Sequence, residues 1–215
     1  MVAGTDEIAE ALWYVAPGRA EIRTESLPRL QPGHVRVRTF YSALSRGTES
    51  LVAAGRVPES EHQRMRAPFM GGAFPFPVKY GYANVGRVEA GPAGLVGKDV
   101  FSLSPHQTLI DLPEAMAVPL PAGVPASRAV LSANMETALN ALWDAEPKDG
   151  AKIAVVGAGV LGALVGFLAA KVKGASTSIL RVRRSRKHSA SAFRSRRMRR
   201  LNAISFFIRV QMRRD

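Results

Sequence analysis

The 215-residue sequence predicts a β-rich amino-terminal domain followed by the first part of an α/β domain. Three observations support this fold class. Short apolar runs bounded by glycine and proline fill residues 10–120, a pattern typical of a small barrel or sandwich. After Pro121, apolar residues recur at helical spacing. The β-branched run KIAVV is then followed at once by a glycine motif and a second apolar helix, which indicates a strand–turn–helix unit.

The predicted amino-terminal domain covers residues 1–122. Within VRVRTFYSAL, valines alternate with Arg36 and Arg38, which predicts a short half-buried strand, and Pro32-Gly33 forms the turn before it. VGRVEAG and GKDVFSL predict two more short strands next to glycines. Residues 57–79 are rich in proline, glycine and aromatic residues and are predicted to form a long loop. Loops of this length inside a compact domain are often functional.

Residues 123–180 are predicted to contain a linker helix and the first part of a dinucleotide-binding domain. The helix extends from about Arg128 to Asp144, because apolar residues recur there at helical intervals. The strand KIAVV follows after a short turn, EPKDGA. The predicted fold class is therefore α/β plus β.

A glycine motif, Gly157-x-Gly159-x-x-Gly162, lies between that strand and the second helix. In a dinucleotide site the first glycine permits a tight turn, the second lets the backbone approach a pyrophosphate, and the third lets the helix pack on the strand. The first N–H groups of the helix, where Val160 and Leu161 lie, would then face the phosphates. The alternative is plain glycine packing within an apolar helix pair.

The residues after this motif bear on the choice between NAD and NADP. An acid about 20 residues further on usually binds the ribose hydroxyls. Residues 176–182, STSILRV, contain no Asp or Glu, and Arg181 falls there instead. An arginine at this place can favour the 2′-phosphate of NADP. We favour the alternative that Arg181 simply begins the basic tail, so the expected cofactor is NAD or NADP.

The positive charge of the chain is concentrated in residues 181–215, the basic tail. The formal net charge is +13, and the tail holds 13 of the 30 Lys and Arg residues but only one of the 17 Asp and Glu residues. Arg and Ser dominate where further strands and helices of an α/β domain are expected. We expect this tail to be disordered, or to arise from a shift of reading frame near residues 174–178, and the dinucleotide-binding domain to be incomplete.

The composition and the amino terminus exclude some classes of protein. The chain has no cysteine, which excludes disulfides and cysteine-based zinc sites. The amino terminus lacks the basic start and apolar core of a signal peptide, so we expect a cytoplasmic protein. The uncharged stretch Ile153–Ala170 has the minimum length of a membrane span. Glycines interrupt it, and its first residues are typical of a buried strand, so we expect no membrane attachment.

The order of these parts resembles the medium-chain dehydrogenase/reductase family, which joins a GroES-like β-barrel to a nicotinamide-binding Rossmann domain. YSALSRGTES is similar to the family's Cys-Gly-x-Asp type motif, with Ser45 in place of a zinc-ligand cysteine. VKYGYANVGRVEAG is similar to its Gly-His-Glu stretch, with Tyr82 where the ligand histidine would be. NMETALNAL resembles the segment whose Thr-Ala pair, here Thr137-Ala138, lies beside the nicotinamide. The match covers about residues 10–175 and is similar to a zinc-free bacterial branch often labelled alcohol dehydrogenase.

The resemblance implies an NAD(P)-dependent oxidoreductase that transfers hydride between nicotinamide and an alcohol or carbonyl substrate, with impaired activity in this chain. No zinc is expected, so a protein group must polarise the substrate carbonyl. The hydrogen-bond donors Ser45, Thr48 and Tyr82 are the candidates, although each could instead brace a turn or pack. His62 and His106 are interpreted as surface or loop residues, and His106 is worth mutating. The family also suggests a homodimer.

The rival function is a non-catalytic remnant whose basic tail binds nucleic acid without sequence specificity. Electrostatic binding of this kind is weak and falls steeply with salt. We therefore expect a chain without residues 181–215 to lose its affinity for single-stranded RNA in a filter-binding assay at low salt. Binding that survives the deletion would show that the tail is not responsible.

Overall fold

The structure of the chain, a computed structural model, describes residues 7–180 and the backbone of a strand at residues 207–211. The chain divides into two compact units, residues 1–133 and 134–215. The sequence predicts the division earlier, after residue 122. It falls later because residues 126–129 form a short helix that packs against strands of the first unit.

In its described part, the first unit contains two antiparallel sheets. Its strands are β1 (Glu7–Ala16), β2 (Arg19–Leu27), β3 (His34–Ser42), β4 (Gly71–Gly72), β5 (Val78–Lys79), β6 (Asn84–Ala90), β7 (Asp99–Ser102), β8 (Leu109–Pro113) and β9 (Val118–Pro119). Its helices are α1 (Thr48–Ala53) and α2 (Ala126–Ala129). The strand order is β2-β1-β5-β4 in one sheet and β8-β3-β6-β7-β9 in the other.

The two sheets are joined where β1 meets the segment that precedes β8. Ala11 and Gln107 form an antiparallel bridge, and the N–H of Leu12 donates to the carbonyl oxygen of His106 at 2.9 Å. The core of the larger sheet is built from Val35, Val37, Val88, Val100, Ile110, Leu112 and Ala117. The prediction of a β-rich amino-terminal domain is confirmed.

The strands and the turn predicted in this domain are present. Pro32-Gly33 forms the turn before β3, and Gly33 has a φ of 74° that favours glycine. VGRVEAG lies mostly in β6 and GKDVFSL contains β7. Residues 57–79 are mainly loop as predicted, but they also contain the short strands β4 and β5, which pair with each other.

The second unit contains the strand–turn–helix unit that the sequence predicts, followed by a strand parallel to the first. Its described elements are α3 (Ser132–Ala145), β10 (Lys152–Val156), α4 (Val160–Ala169), β11 (Ser176–Leu180) and β12 (Phe207–Gln211). β10 is parallel to β11 on one side and antiparallel to β12 on the other. Ile153 and Val155 of β10 are buried in a cluster that includes Ala138, Leu142, Val165 and Ala169 of the helices α3 and α4.

The basic tail is predicted to be disordered, yet its residues 207–211 form β12. The unpaired edge of a strand exposes its backbone N–H and C=O groups. On the side of β10 away from β11, these groups pair with β12. The rest of the tail, including Arg181, lies outside the described residues. The expected shift of reading frame stays a prediction.

The predicted helix at residues 128–144 is divided in two. The helix α2 ends at Ala129 and α3 begins at Ser132. Between them the hydroxyl of Ser132 donates to the carbonyl oxygen of Ala129 at 2.6 Å. Serine hydroxyls compete in this way for carbonyl oxygens that otherwise accept helical N–H groups, which favours an interruption.

The stretch Ile153–Ala170 does not form a continuous helix. It contains most of β10, the glycine turn and the ten residues of α4. Among the residues that the structure describes, no helix has the length and apolarity that a membrane span requires.

Arg36 in β3 departs from the predicted alternation, because this arginine is 6% exposed. Its Nε and Nη2 donate to the two carboxylate oxygens of Asp111, each at 2.7 Å. Its Nη1 donates to Glu7 and its Nη2 also donates to the carbonyl oxygen of Pro28, both at 2.7 Å. The hydrogen bonds to Asp111 raise the pKa of Arg36 above its ordinary value. The charge can be buried because every branch of the guanidinium is paired.

Replacing Arg36 by methionine would leave Asp111 mostly buried without its partner. We expect the free energy of unfolding to fall by about 3 kcal/mol, as for other broken buried pairs. Arg38→Met is the matched control, since Arg38 lies on the same strand but forms an exposed ion pair with Glu89. Its effect should stay below about 1 kcal/mol. Urea denaturation of both variants measures the difference, and equal losses would contradict the role assigned to Arg36.

Candidate functional site

The glycine motif forms a tight turn between β10 and α4. Gly157 has a φ of 115°, a conformation that residues with a Cβ rarely adopt, and its N–H donates to the carbonyl oxygen of Leu180 at 2.9 Å. Gly159 precedes the first residue of α4, and a Cβ built there would meet no atom of the described residues within 4 Å. Gly162 is buried within α4. The turn therefore leaves open space in front of the helix.

The amino end of α4 offers backbone N–H groups to a ligand in that space. The first N–H groups of a helix have no partner inside the helix, and no side chain in the described part of the chain caps α4. The helix dipole adds partial positive charge at this end. The side chain of Val160 is exposed and that of Leu161 packs on the apolar cluster of the second unit, so both residues offer only their backbone N–H groups. This geometry fits the pyrophosphate of a dinucleotide.

The other residues predicted to bind cofactor lie on other elements. Thr137 is half-buried in α3, and its neighbour Ala138 belongs to the core of the second unit. Arg181 follows β11 directly but lies outside the described residues. The structure thus brings together the turn residues Gly157, Gly159, Val160, Leu161 and Gly162.

The three predicted catalytic residues lie in two segments of the first unit. Ser45 lies just before α1, and Thr48 is its first residue. Tyr82 lies between β5 and β6, with its ring edge-on to Tyr80 at a centroid distance of 6.2 Å. All three residues are half-buried. Within the described residues, none of their side-chain hydroxyls forms a hydrogen bond.

A buried network that was not predicted from the sequence lies in the same segments. Oε1 of Glu49 accepts the N–H of Ser45 at 2.7 Å, and Oε2 accepts the hydroxyl of Tyr14 at 3.0 Å. Oε2 also lies 2.7 Å from Nε2 of His106, whose Nδ1 is 2.9 Å from Oγ of Ser42. The side chains of Glu49 and His106 are 4% and 7% exposed, while Ser42 is exposed.

Of the interpretation of His106 as a surface or loop residue, the loop holds and the surface position does not. The residue lies in a loop, but this loop is buried, and the N–H of His106 faces the carbonyl oxygen of Tyr80 at 3.4 Å. Gly81 makes the close approach possible, because its φ is 136° and a Cβ there would lie 2.9 Å from Nε2 of His106. His62 lies in a loop as interpreted, with Nε2 at 3.2 Å from the carbonyl oxygen of Val57.

Burial keeps two tyrosines of this region protonated. Burial raises the pKa of Tyr14 well above its ordinary value, and the charge of Glu49 and the hydrogen bond to Glu49 raise it further. Burial also raises the pKa of Tyr80 to about 12, with added contributions from Tyr82 and Glu49. At neutral pH the hydroxyl of Tyr14 therefore acts only as a donor to Glu49.

The side chains in this region do not form a recognisable metal centre. Throughout residues 7–180, no three His, Cys, Asp or Glu side chains are grouped so that they could hold a metal ion. Ser45 and Tyr82, at the positions that the resemblance aligns with zinc ligands, offer hydroxyls. The nearby carboxylate and imidazole, Glu49 and His106, are bonded to each other.

Sequence reasoning missed Ser42 and Glu49, although it singled out the segments that contain them. Glu49 belongs to SRGTES, and Gly81, which admits His106, belongs to VKYGYANVG. Glu49, Gly81 and His106 lie in three separate segments, and nothing in the sequence around any of them indicates that they are in contact. The contact between them depends on how β1, α1 and the loop before β8 come together.

Comparison with known proteins adds information at the level of the fold. No protein-family model matches the sequence, and neither does any curated protein. Among solved structures, the quinone oxidoreductase from Thermus thermophilus, solved also in complex with NADPH, matches with a TM-score of 0.62 and 22% sequence identity. The match covers 81% of this chain and 54% of that chain.

Two further solved structures give similar matches. The short chain alcohol dehydrogenase (rspB) from E. coli CFT073, complexed with NADH, has a TM-score of 0.62 and 16% identity over 80% of this chain and 56% of that chain. The quinone oxidoreductase from Pseudomonas syringae pv. Tomato DC3000 has a TM-score of 0.60 and 24% identity over 80% and 52%. The chain therefore shares a fold with these proteins and spans little more than half of their length.

The Tyr14→Phe variant would remove one donor from the buried carboxylate of Glu49. We expect the free energy of unfolding at neutral pH to fall by about 1.5–3 kcal/mol, the usual contribution of a hydrogen bond to a charged group, while Oε2 keeps its bond to His106. Tyr82→Phe is the control, because the hydroxyl of Tyr82 forms no hydrogen bond within the described residues. Its effect should be below about 0.5 kcal/mol.

The effect of Tyr14 should also depend on pH. Its pKa in the folded state is raised above the unfolded value of 10.0, so its contribution is fully present below that pH and is lost as the pH rises further. The stability difference between the native chain and Tyr14→Phe should therefore narrow in alkali. Urea denaturation at about pH 7 and about pH 10.5 measures this, and a constant difference would contradict the assignment.

Proposed function

We propose that the chain derives from an NAD(P)-dependent oxidoreductase. The reason is its fold, which is that of the medium-chain dehydrogenase/reductases with a GroES-like β-rich unit and an incomplete Rossmann-type unit. The reaction is hydride transfer between a nicotinamide and an alcohol or carbonyl substrate, without zinc. The chain spans 54% of the length of the Thermus quinone oxidoreductase. The proposed activity therefore concerns the whole protein type, of which this chain carries the first unit and the glycine turn.

The glycine turn is the observation that carries this proposal. Gly157 has a backbone conformation suited to glycine, Gly159 leaves open space, and α4 begins without a capping side chain. Plain glycine packing explains the burial of Gly162. An anion in front of the helix would in addition use the space at Gly159 and accept hydrogen bonds from the uncapped N–H groups of α4.

The first unit would supply hydrogen-bond donors for the substrate. When bound, the nicotinamide supplies or accepts the hydride. A substrate carbonyl oxygen gains negative charge during reduction, and donors aimed at that oxygen lower the barrier. The hydroxyls of Ser45, Thr48 and Tyr82 are half-buried and form no hydrogen bonds among the described residues, so they can donate to a substrate.

The Gly159→Asp variant tests the proposed site directly. Aspartate is a favourable residue at the start of a helix, and the extended backbone of Gly159 suits it, so folding should be unaffected. The carboxylate would repel a pyrophosphate and occupy its space. We expect the dissociation constants of NADH and NADPH, measured by isothermal titration calorimetry, to rise at least about tenfold, equivalent to about 1.4 kcal/mol.

Gly94→Asp is the matched control, because a Cβ at Gly94 also meets no atom within 4 Å but lies in the first unit. It adds the same charge and should leave the dissociation constants unchanged. Comparing NADH with NADPH in the native chain and in Arg181→Gln decides whether Arg181 favours the 2′-phosphate. Equal binding by Gly159→Asp and the native chain would contradict the proposed dinucleotide site.

A further inference from the structure

We infer that Ser42, His106 and Glu49 form a proton-transfer site, in which Ser42 exchanges a proton with the substrate oxygen and His106 and Glu49 act through it. The inference rests on the proposed oxidoreductase function and names groups beyond Ser45, Thr48 and Tyr82. Ser42 is the catalytic residue in this proposal. His106 and Glu49 are positioning residues, since they act through the Ser42 hydroxyl.

The hydrogen bonds fix the tautomer of the neutral imidazole. A carboxylate can only accept hydrogen bonds, so Nε2 of His106 carries the hydrogen that faces Oε2 of Glu49 at 2.7 Å. In the neutral ring, Nδ1 then accepts a hydrogen bond from the hydroxyl of Ser42, whose Oγ lies 2.9 Å away. In the protonated ring, Nδ1 donates to Oγ of Ser42 instead. Both protonation states keep every hydrogen bond, so a proton can move along the chain without breaking it.

The two ends of this chain differ in access to solvent. Glu49 and His106 are buried, whereas Ser42 at the end of β3 is exposed. Glu49 is also held by the N–H of Ser45 and the hydroxyl of Tyr14. A substrate can therefore reach the hydroxyl of Ser42, while the buried carboxylate keeps the imidazole oriented. The order is that of a hydroxyl, a base and an orienting acid.

The titratable groups that face His106 leave few alternatives as proton carriers. They are Glu49 from α1, which bonds to His106, Tyr14 from β1, which bonds to the same carboxylate oxygen, and Tyr80, whose carbonyl oxygen faces the N–H of His106. Burial raises the pKa values of Tyr14 and Tyr80, so both stay protonated at neutral pH. Imidazole is the side chain that ordinarily exchanges a proton between about pH 5 and 8.

The proposed step balances in both directions. In reduction, the substrate carbonyl carbon accepts the hydride and its two electrons, and the C=O π bond opens. The carbonyl oxygen takes the proton of the Ser42 hydroxyl. Oγ of Ser42 then takes the Nδ1 proton of the protonated His106 ring. The ring is left neutral and regains a proton from water through Ser42. In alcohol oxidation each transfer runs in reverse.

The first measurement needs no turnover. Nitrogen-15 NMR of labelled histidine reports the tautomer, and the His106→Asn variant assigns the signal of His106. We expect the native chain to show Nε2 protonated and Nδ1 acting as an acceptor in the neutral ring. Ser42→Ala should move the Nδ1 signal, and Glu49→Gln should mix the two tautomers. Unchanged signals in both variants would overturn the hydrogen-bond roles.

The second measurement compares reduction of a panel of aliphatic and aromatic aldehydes by NADH and NADPH. We expect Ser42→Ala and His106→Asn to lower kcat about 100-fold, the usual scale of acid–base catalysis, with unchanged dinucleotide binding. Both should also flatten the pH profile of kcat, because the proton carrier is removed or cut off from the substrate. Ser42→Thr should restore part of the rate. Ser50→Ala is the control, since Ser50 is exposed on α1 and bonds only to the carbonyl oxygen of Arg46.

The outcomes separate this inference from the proposed function. Absence of dinucleotide binding in the native chain would count against the proposed function itself. If the native chain binds dinucleotide without turning over any aldehyde, the nitrogen-15 signals of His106 decide, and signals that stay unchanged in Ser42→Ala and Glu49→Gln overturn the proton-transfer role while leaving the binding site standing. Normal turnover and an unchanged pH profile in Ser42→Ala would also overturn the role.

Discussion

The buried carboxylate of Glu49 is the group on which the arrangement of the first unit depends. It accepts hydrogen bonds from the loop before α1, from Tyr14 on β1 and from His106 before β8. Desolvating a carboxylate is costly unless each oxygen is bonded, so these elements are held in one geometry. One of these segments, the loop before α1, belongs to the stretch YSALSRGTES that resembles a zinc-ligand motif of dehydrogenases. In this chain a carboxylate–imidazole pair and several hydroxyls occupy the region.

Backbone conformation imposes a second constraint at two glycines. Gly81 lets His106 pack against the chain between Tyr80 and Tyr82, and Gly157 turns the chain sharply between β10 and α4. A side chain at either position would be strained by its φ. In the first unit the close approach completes a polar network. In the second unit the turn opens a space in front of a helix end, where phosphate groups are stabilised. The same residue type therefore permits close packing in one place and a sharp turn before a helix in the other.

The distribution of charge follows the division of the chain. Inside the first unit, Arg36 and Glu49 are buried with partners for their polar atoms. The net positive charge lies in residues 181–215, of which β12 pairs with β10. Pairing on that side covers backbone groups of β10 that an edge strand would expose. The tail thus contributes to the sheet of the second unit, whatever the origin of its composition.

The sequence by itself determined the order of the elements and the position of the glycine turn. Alternating valines predicted β3, because a strand side chain repeats its direction every two residues. The glycines after KIAVV predicted the turn before α4, because the turn depends on the φ angles of single residues. Both signals are local in the sequence. Only the tertiary structure placed Arg36 inside, divided the predicted linker helix at Ser132, and joined Glu49 to His106. Each of these depends on a partner distant in the chain or on competition for one carbonyl oxygen. Periodicity carries no information on such contacts, since they are decided when sheets and loops pack together.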